Sequence, residues 1–404
     1  MKKLFSYENG LLIMMSLCNG IVALDRLAVN FLAKPIKDEF HLSNAQIGLL
    51  SSALSIVIAG SGFFLARMAD KTRARKQMLL ATLVLFSLLS AVTGMAVSFA
   101  TLIAARMVLG MAEGPILPVA QSVMAIESTP RRRGLNMGIM QNLGAALIGV
   151  TLGPIVFTQL AAHFGWRPAF YLSCLPGLLL AGVIFIWMRP LRQEAPAGTP
   201  GIDSAASLWA VLKSRNVVLC IAISGLFSGW LLVQNSFLTL YLQTHDGLSL
   251  TAAGGLIGLT GLAQIISGTV MPAISDRIGR KPALIVVTTF GIVAPIVTLF
   301  VPAVGPWLAV SLFIGWFGGG AGPLFISIIP TESVPARYVA TAVAVSLASG
   351  EIFGGVIGPP LAGQAADVFG PSAPFWICAG AAAICGVLSQ FLVETAPSKT
   401  AGAA

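Results

Sequence analysis

The chain has 404 residues, of which 56% are hydrophobic and only 10% charged, with a formal net charge of +9. A soluble domain carries about 25% charged residues, so a water-facing surface over most of this chain is excluded, and with it a soluble enzyme, a coiled coil or a disordered protein. Five cysteines scattered through apolar runs form neither a C-x-x-C pair nor a Cys/His cluster, which argues against a disulfide framework and a metal site.

Apolar runs bounded by charge and Gly/Pro punctuation predict twelve membrane-spanning helices. They fall at 9–32, 45–66, 77–99, 101–125, 134–161, 166–189, 216–243, 251–273, 281–301, 306–330, 338–365 and 371–393. The predicted fold is an all-α membrane protein: a six-helix bundle over 1–189, a cytoplasmic linker over 190–215 rich in proline and glycine, and a second six-helix bundle over 216–404. If the N-terminus is cytoplasmic, nineteen of the twenty-four lysines and arginines lie on that side and three opposite, Lys34, Lys37 and Arg167. That asymmetry predicts both termini in the cytoplasm, and the expected location is the plasma (bacterial inner) membrane. It also accounts for the positive charge without nucleic acid, the basic loops facing anionic lipid.

The halves repeat at an offset of about 205 residues. Gly153-Pro154 falls on Gly358-Pro359, Gly165 on Gly370, Phe170 on Phe375, and Glu127, Pro130 and Arg132 on Glu332, Pro335 and Arg337; Asp70-Lys71 falls on Asp276-Arg277 at 206. A parallel duplication of six helices is the plan of a two-bundle transporter with its site near mid-membrane.

Ionisable side chains inside a span cost about 2.5–3.5 kcal/mol each even on lenient scales. Here they are Asp25 and Arg26 in the first span, Arg106 and Glu113 in the fourth and Glu351 in the eleventh. Asn19, Arg26 and Asn30 share a face of the first span at helical spacing. Arg106 and Glu113, seven apart, lie about 10 Å apart along the axis, so each is expected to meet the first span or a ligand. One reading makes Asp25–Arg106 or Glu113–Arg26 permanent ion pairs that fix packing. Against it, the repeat partners of Arg106 and Glu113 are Ser311 and Gly318, so the second half does without these charges.

In the other reading Arg26 and Arg106 bind an anion, because a guanidinium stays charged and its fork matches a carboxylate. Burial favours the neutral form of a carboxyl and a neighbouring arginine the ionised one. Asp25, Glu113 and Glu351 are therefore the candidate proton carriers, Arg106 biasing Glu113. Uncharged groups suited to a ligand's hydroxyls or carbonyls are Asn30, Gln141, Asn142, Gln234, Asn235, Gln264 and Ser346.

The loop after the second span, Asp70-Lys71-x-x-Ala74-Arg75-Lys76, and its counterpart Asp276-Arg277-Ile278-Gly279-Arg280-Lys281 resemble the loop signature of the major facilitator superfamily. Three further features resemble its anion:cation symporter branch, which holds sialin-like and bacterial sugar-acid and organic-acid carriers. These are Asp25-Arg26, Arg106-x-x-x-Gly110-x-x-Glu113-Gly114-Pro115, and Gly165-Trp166-Arg167-x-x-Phe170. The resemblance implies proton-coupled uptake of a small carboxylate by alternating access, carboxyls carrying protons and arginines organising the site. It gives Asp70, Lys71, Arg75, Asp276, Arg277 and Arg280 a gating role. The expected partners are the carboxylate, protons and the bilayer, with no cofactor, no metal and a monomeric state. No G-x-S-x-G, H-E-x-x-H or phosphate-binding motif supports an enzyme. The alternatives are a drug or metabolite/H⁺ antiporter of the same fold and a membrane sensor without flux.

Overall fold

The computed structural model describes residues 6–72, 74–129, 132–189, 205–303, 306–335 and 338–400. All regular structure among them is helical, because backbone placed in hydrocarbon must satisfy its own N–H and C=O groups. Twelve helices are long and apolar enough to cross a membrane. We label them α1 (Tyr7–Phe31), α2 (Asn44–Gly62), α3 (Arg75–Gly94), α4 (Phe99–Glu127), α5 (Gly144–Phe164), α6 (Trp166–Trp187), α7 (Arg215–Thr244), α8 (Leu250–Ile278), α9 (Arg280–Phe300), α10 (Trp307–Glu332), α11 (Thr341–Phe369) and α12 (Ala373–Gln390). Each matches an expected span. The sequence reading missed the short helix Ala33–Phe40, an eight-residue polar segment that it left as the first outer loop. Much of the linker, residues 190–204, lies outside the described residues.

By contacts the chain divides into two units that do not follow the halves strictly. The first runs through Leu42 and takes in 53–197 and 249–258; the second takes in 43–52, 198–248 and the chain from Leu259 onward. In the first unit α1 is the central helix, buried along Leu11, Met15, Cys18 and Ala28, against α4, α5 and α6. Outward-facing positions carry large apolar groups in the open, such as Ile186 at 85% and Leu179 at 70% exposure. Water would penalise that surface, whereas hydrocarbon is its natural solvent. In the second unit α7 is central. Trp230 donates Nε1–H to the carbonyl of Gly291 on α9 at 2.8 Å, and its ring lies 5.0 Å from Phe227 and 5.3 Å from Trp316.

The internal repeat is visible in how the helices break. π-Helical turns occupy Ile139–Leu152, leading into Gly153-Pro154, and Gly350–Ile357, leading into Gly358-Pro359. A proline inside a helix removes a donor and crowds the preceding turn, and widened turns upstream accommodate it. These stretches carry small faces that let neighbouring helices approach closely. A Cβ on Gly144 would collide with the carbonyl of Ser16 on α1, and one on Gly354 would lie 2.6 Å from the backbone nitrogen of Gly229 on α7. α5 and α11 both end at a glycine with positive φ, Gly165 at +86° and Gly370 at +95°, with ψ of 165° and 169°. That region is essentially glycine-only.

Replacing Gly165 or Gly370 by Ala is expected to cost about 1–3 kcal/mol, read as a lower melting temperature in detergent. Gly380→Ala, on a regular turn of α12 with open space around its Cα, is expected to leave the melting temperature unchanged or slightly raised.

Candidate functional site

The charged candidates of the first unit lie on α1 and α4. Asp25 and Arg106 are each 1% exposed and Glu113 is 3% exposed. Arg106 donates from Nη1 to Asp25 Oδ2 at 3.1 Å and to the Asp25 carbonyl at 3.2 Å. Its Nη2 donates to the Arg26 carbonyl at 2.9 Å. One guanidinium thus grips both a carboxylate and two mid-helix carbonyls of α1. The other carboxylate oxygen, Oδ1, accepts from Ser90 Oγ on α3 and from Ser173 Oγ on α6, the latter at 3.5 Å. The two hydroxyls lie 2.5 Å apart. Four helices therefore meet on one carboxylate.

The structure forms Asp25–Arg106, one of the ion pairs weighed from the sequence. The guanidinium of Arg106 is directed to α1. Ser90 and Ser173 went unnoticed because a serine in an apolar span looks like any other small packing residue; only the contact with Asp25 distinguishes them.

Arg26, the next residue on α1, points elsewhere, since consecutive helix positions diverge by about 100°. It is half-buried and donates from Nη2 to Ser55 Oγ on α2 at 3.2 Å. On the same stripe Asn30 is 4% exposed, and Asn19 donates to the Met140 carbonyl at 2.9 Å.

Glu113 sits where α4 breaks. α4 consists of Phe99–Glu113 and Ile116–Glu127, because Pro115 has no N–H to give to the preceding turn. At the break α4 presses on α2: Ser61 donates to the Gly110 carbonyl at 3.1 Å, and a Cβ on Gly114 would lie 2.6 Å from the Gly62 nitrogen. The repeat counterpart α10 is also irregular there, with 3-10 turns at Trp316–Ala321 and π turns at Leu324–Ile328.

In the second unit the candidates within the spans are neutral apart from Glu351. Gln234 on α7 and Ser346 on α11 are fully buried, and Asn235 is 5% exposed, turned back to donate to the Leu231 carbonyl of its own helix at 2.8 Å. Both amide atoms of Gln234, Oε1 of half-buried Gln264 on α8, Oγ of Ser346 and Nε1 of fully buried Trp316 lack a hydrogen-bond partner. Glu351 lies half-buried in the π-helical stretch of α11. The side chains of Gln141, Asn142, Asp70 and Lys71 lie outside the described residues.

The second loop motif is laid out in full. Arg280 donates to Asp276 Oδ1 at 2.6 Å, to Ser275 Oγ at 2.6 Å and, through Nη2 and Nε, to the two oxygens of Glu332 at 2.8 and 3.1 Å. Arg277 is exposed beside it, and Arg75 in the first motif is half-buried. Glu394, beyond α12, accepts the backbone N–H groups of Arg280 and Lys281 at 2.7 and 3.2 Å and so caps α9. Burial alone would push this carboxyl upward, but the backbone donors around it leave it below the usual carboxylate range.

The family model for the Major Facilitator Superfamily matches residues 15–352. The chain belongs to the major facilitator superfamily. As a superfamily member it is a transporter rather than an enzyme, and an integral membrane protein. It is 29% identical over 273 residues to the hexuronate transporter of Bacillus subtilis (strain 168), a match covering 65% of this chain and 64% of that one. It is 26% identical over 375 residues to the multidrug resistance protein MdtG of Serratia proteamaculans (strain 568), covering 88% and 86%. Among solved structures, a bacterial homolog of the human lysosomal transporter Spinster superposes with a TM-score of 0.78 over 96% of this chain and 98% of that one, at 17% identity. That likeness establishes the superfamily fold.

Two outcomes follow from this geometry. Arg106→Met strands a buried carboxylate and is expected to destabilise the protein by about 3–5 kcal/mol, with much of the loss recovered in Asp25→Asn/Arg106→Met; thermal unfolding of the single and double variants measures it. The Glu394 cap belongs to a group whose folded pKa is depressed. Its stabilisation is present above about pH 4.5, its ordinary value, and is lost as the pH falls through the lower folded value. Glu394→Gln is therefore expected to lower the melting temperature at neutral pH, and the difference from the parent protein is expected to shrink toward acid pH.

Proposed function

We propose that this transporter is a proton-coupled importer of a small organic anion, a sugar acid or similar carboxylate, working by alternating access in the bacterial inner membrane with both termini cytoplasmic. The observation that carries the reading is the placement of two guanidinium groups in the spans of one unit. Arg106 bonds Asp25 and the carbonyls of α1, and Arg26 lies half-buried on the neighbouring face, bonded to Ser55. A second fixed cation at that depth is costly and is the natural contact for a ligand carboxylate. Asn30 extends the same stripe. Gln234, Gln264, Ser346 and Trp316 bring polar atoms that bury without a partner, at about 1–3 kcal/mol each, a cost that hydroxyls or carbonyls of a ligand can offset.

In this scheme Asp25, tied to Arg106, Ser90 and Ser173, keeps α1 in place. Glu113, at the broken turn of α4, carries the coupling proton, with Asp25 and Glu351 as further acids. The Asp70, Lys71, Arg75, Asp276, Arg277 and Arg280 loops secure one of the alternating states. The hexuronate transporter fits this reading by its name. A second reading, export of drugs in exchange for protons, is favoured by the MdtG match, which spans more of both chains. The intramembrane arginines favour the anion, since a cation site would present acids alone.

Uptake of radiolabelled galacturonate and glucuronate into proteoliposomes tests the proposal. Accumulation is expected to rise with an inwardly directed proton gradient. Arg26→Ala is expected to raise KM about tenfold to a hundredfold, the loss of one charged hydrogen bond. Glu113→Gln is expected to abolish accumulation while leaving exchange. Unaltered affinity in Arg26→Ala excludes it as the anion contact, and gradient-driven efflux of cationic dyes in place of uptake favours the second reading.

A further inference from the structure

We propose that Asp367 is a releasable latch that holds the first turn of α2 against α11 in the state seen here and lets go in each transport cycle. The inference rests on the chain being a transporter, not on the identity of what it carries.

Asp367 occupies the last turn of α11, where the negative end of that helix's own dipole disfavours an acid. Its repeat counterpart on α5 is Ala162, so this kind of helix end does not itself call for a carboxylate. The charge is matched from another helix: Oδ1 accepts the backbone N–H of Asn44 and Oδ2 that of Ala45, both at 2.9 Å. These are the first two residues of α2, at the positive end of its dipole.

The rest of that helix end is already satisfied locally. Ser43 Oγ accepts the Gln46 N–H at 3.1 Å, Gln46 Oε1 accepts the Ser43 N–H at 2.8 Å, and the Ile47 N–H bonds the Ser43 carbonyl at 3.2 Å. This reciprocal capping box lets α2 keep its start with or without Asp367. Both partners of the latch are at an exposed end, so on release the carboxylate and the two N–H groups return to water rather than to hydrocarbon. The bond is therefore strong enough to bias a state and weak enough to break in every cycle.

Below the latch the two helices approach backbone to backbone at two glycines. A Cβ on Gly48 would clash with the Pro359 carbonyl, and one on Gly363 with that of Asn44. Two turns along, Ser236 Oγ on α7 bonds Ser51 Oγ at 3.3 Å and is 1% exposed. α2 is one continuous helix whose residues through Ser52 are grouped with the second unit and whose remainder is grouped with the first. Any movement of α2 away from α11 has to release this end.

The test is labelling of Ser236→Cys by a membrane-impermeant maleimide, applied to proteoliposomes from the side that carries residues 41–46, with the half-buried Cys174 replaced by Ser. Labelling is expected to be at least threefold faster with Asp367→Ala than with Asp367 intact, and intermediate with Asp367→Asn, which keeps the shape and loses the charge. Val217→Cys, fully buried toward the other end of α7, is expected to label no faster in either background. Equal Ser236→Cys rates with Asp, Asn and Ala at 367 would overturn the latch. So would a matching rise at Val217→Cys, which marks general loosening.

Discussion

A charge set into hydrocarbon has to be answered within the protein, and in this chain the answer is the grip of Arg106 on Asp25. The pair is sealed from solvent on both sides, so neither member can be removed without stranding the other. Because Arg106 also bonds two carbonyls of α1, and Ser90 and Ser173 close the far side of the carboxylate, a single electrostatic knot ties α1, α3, α4 and α6 together. The first unit is thereby assembled around its central helix by polar bonds, where lipid offers no hydrophobic force to do so. The second unit reaches a comparable architecture with indole rings, glycine contacts and buried hydroxyls around α7.

That difference between duplicated halves is the main clue to function. The shared features, positive-φ glycines at both α5–α6 and α11–α12 turns, π turns ahead of Gly-Pro, and broken α4 and α10, belong to the fold. The unshared ones are chemistry laid over it: Asp25, Arg26, Arg106 and Glu113 in one unit, unpaired amide and indole groups in the other.

Much of the fold was legible in the sequence, since span length and the scarcity of charge leave few alternatives. The short helix Ala33–Phe40 was not, being too polar and brief to stand out beside the spans. In the site, side-chain spacing placed Asp25, Arg26, Arg106 and Glu113 at the right depth and separated Asp25 from Arg26 by direction. It could not establish the Asp25–Arg106 pair, because that depends on how α1 and α4 rotate against each other. Nor could it find Ser90, Ser173, Ser55 or Asp367, whose roles exist only through residues distant in the chain. Asp367 did break a local rule, an acid in a helix's last turn, and such exceptions repay a search for their partner.

The central claim, that an anion docks while a buried carboxyl takes up its proton, is tested most directly by counting protons. Calorimetric titration of the purified protein with galacturonate at pH 7, in buffers of different ionisation enthalpy, gives the number taken up per ligand bound. About one proton per ligand is expected in the parent protein and none in Glu113→Gln. Binding with no proton uptake in the parent would contradict the coupling, and undiminished uptake in Glu113→Gln would contradict its assignment.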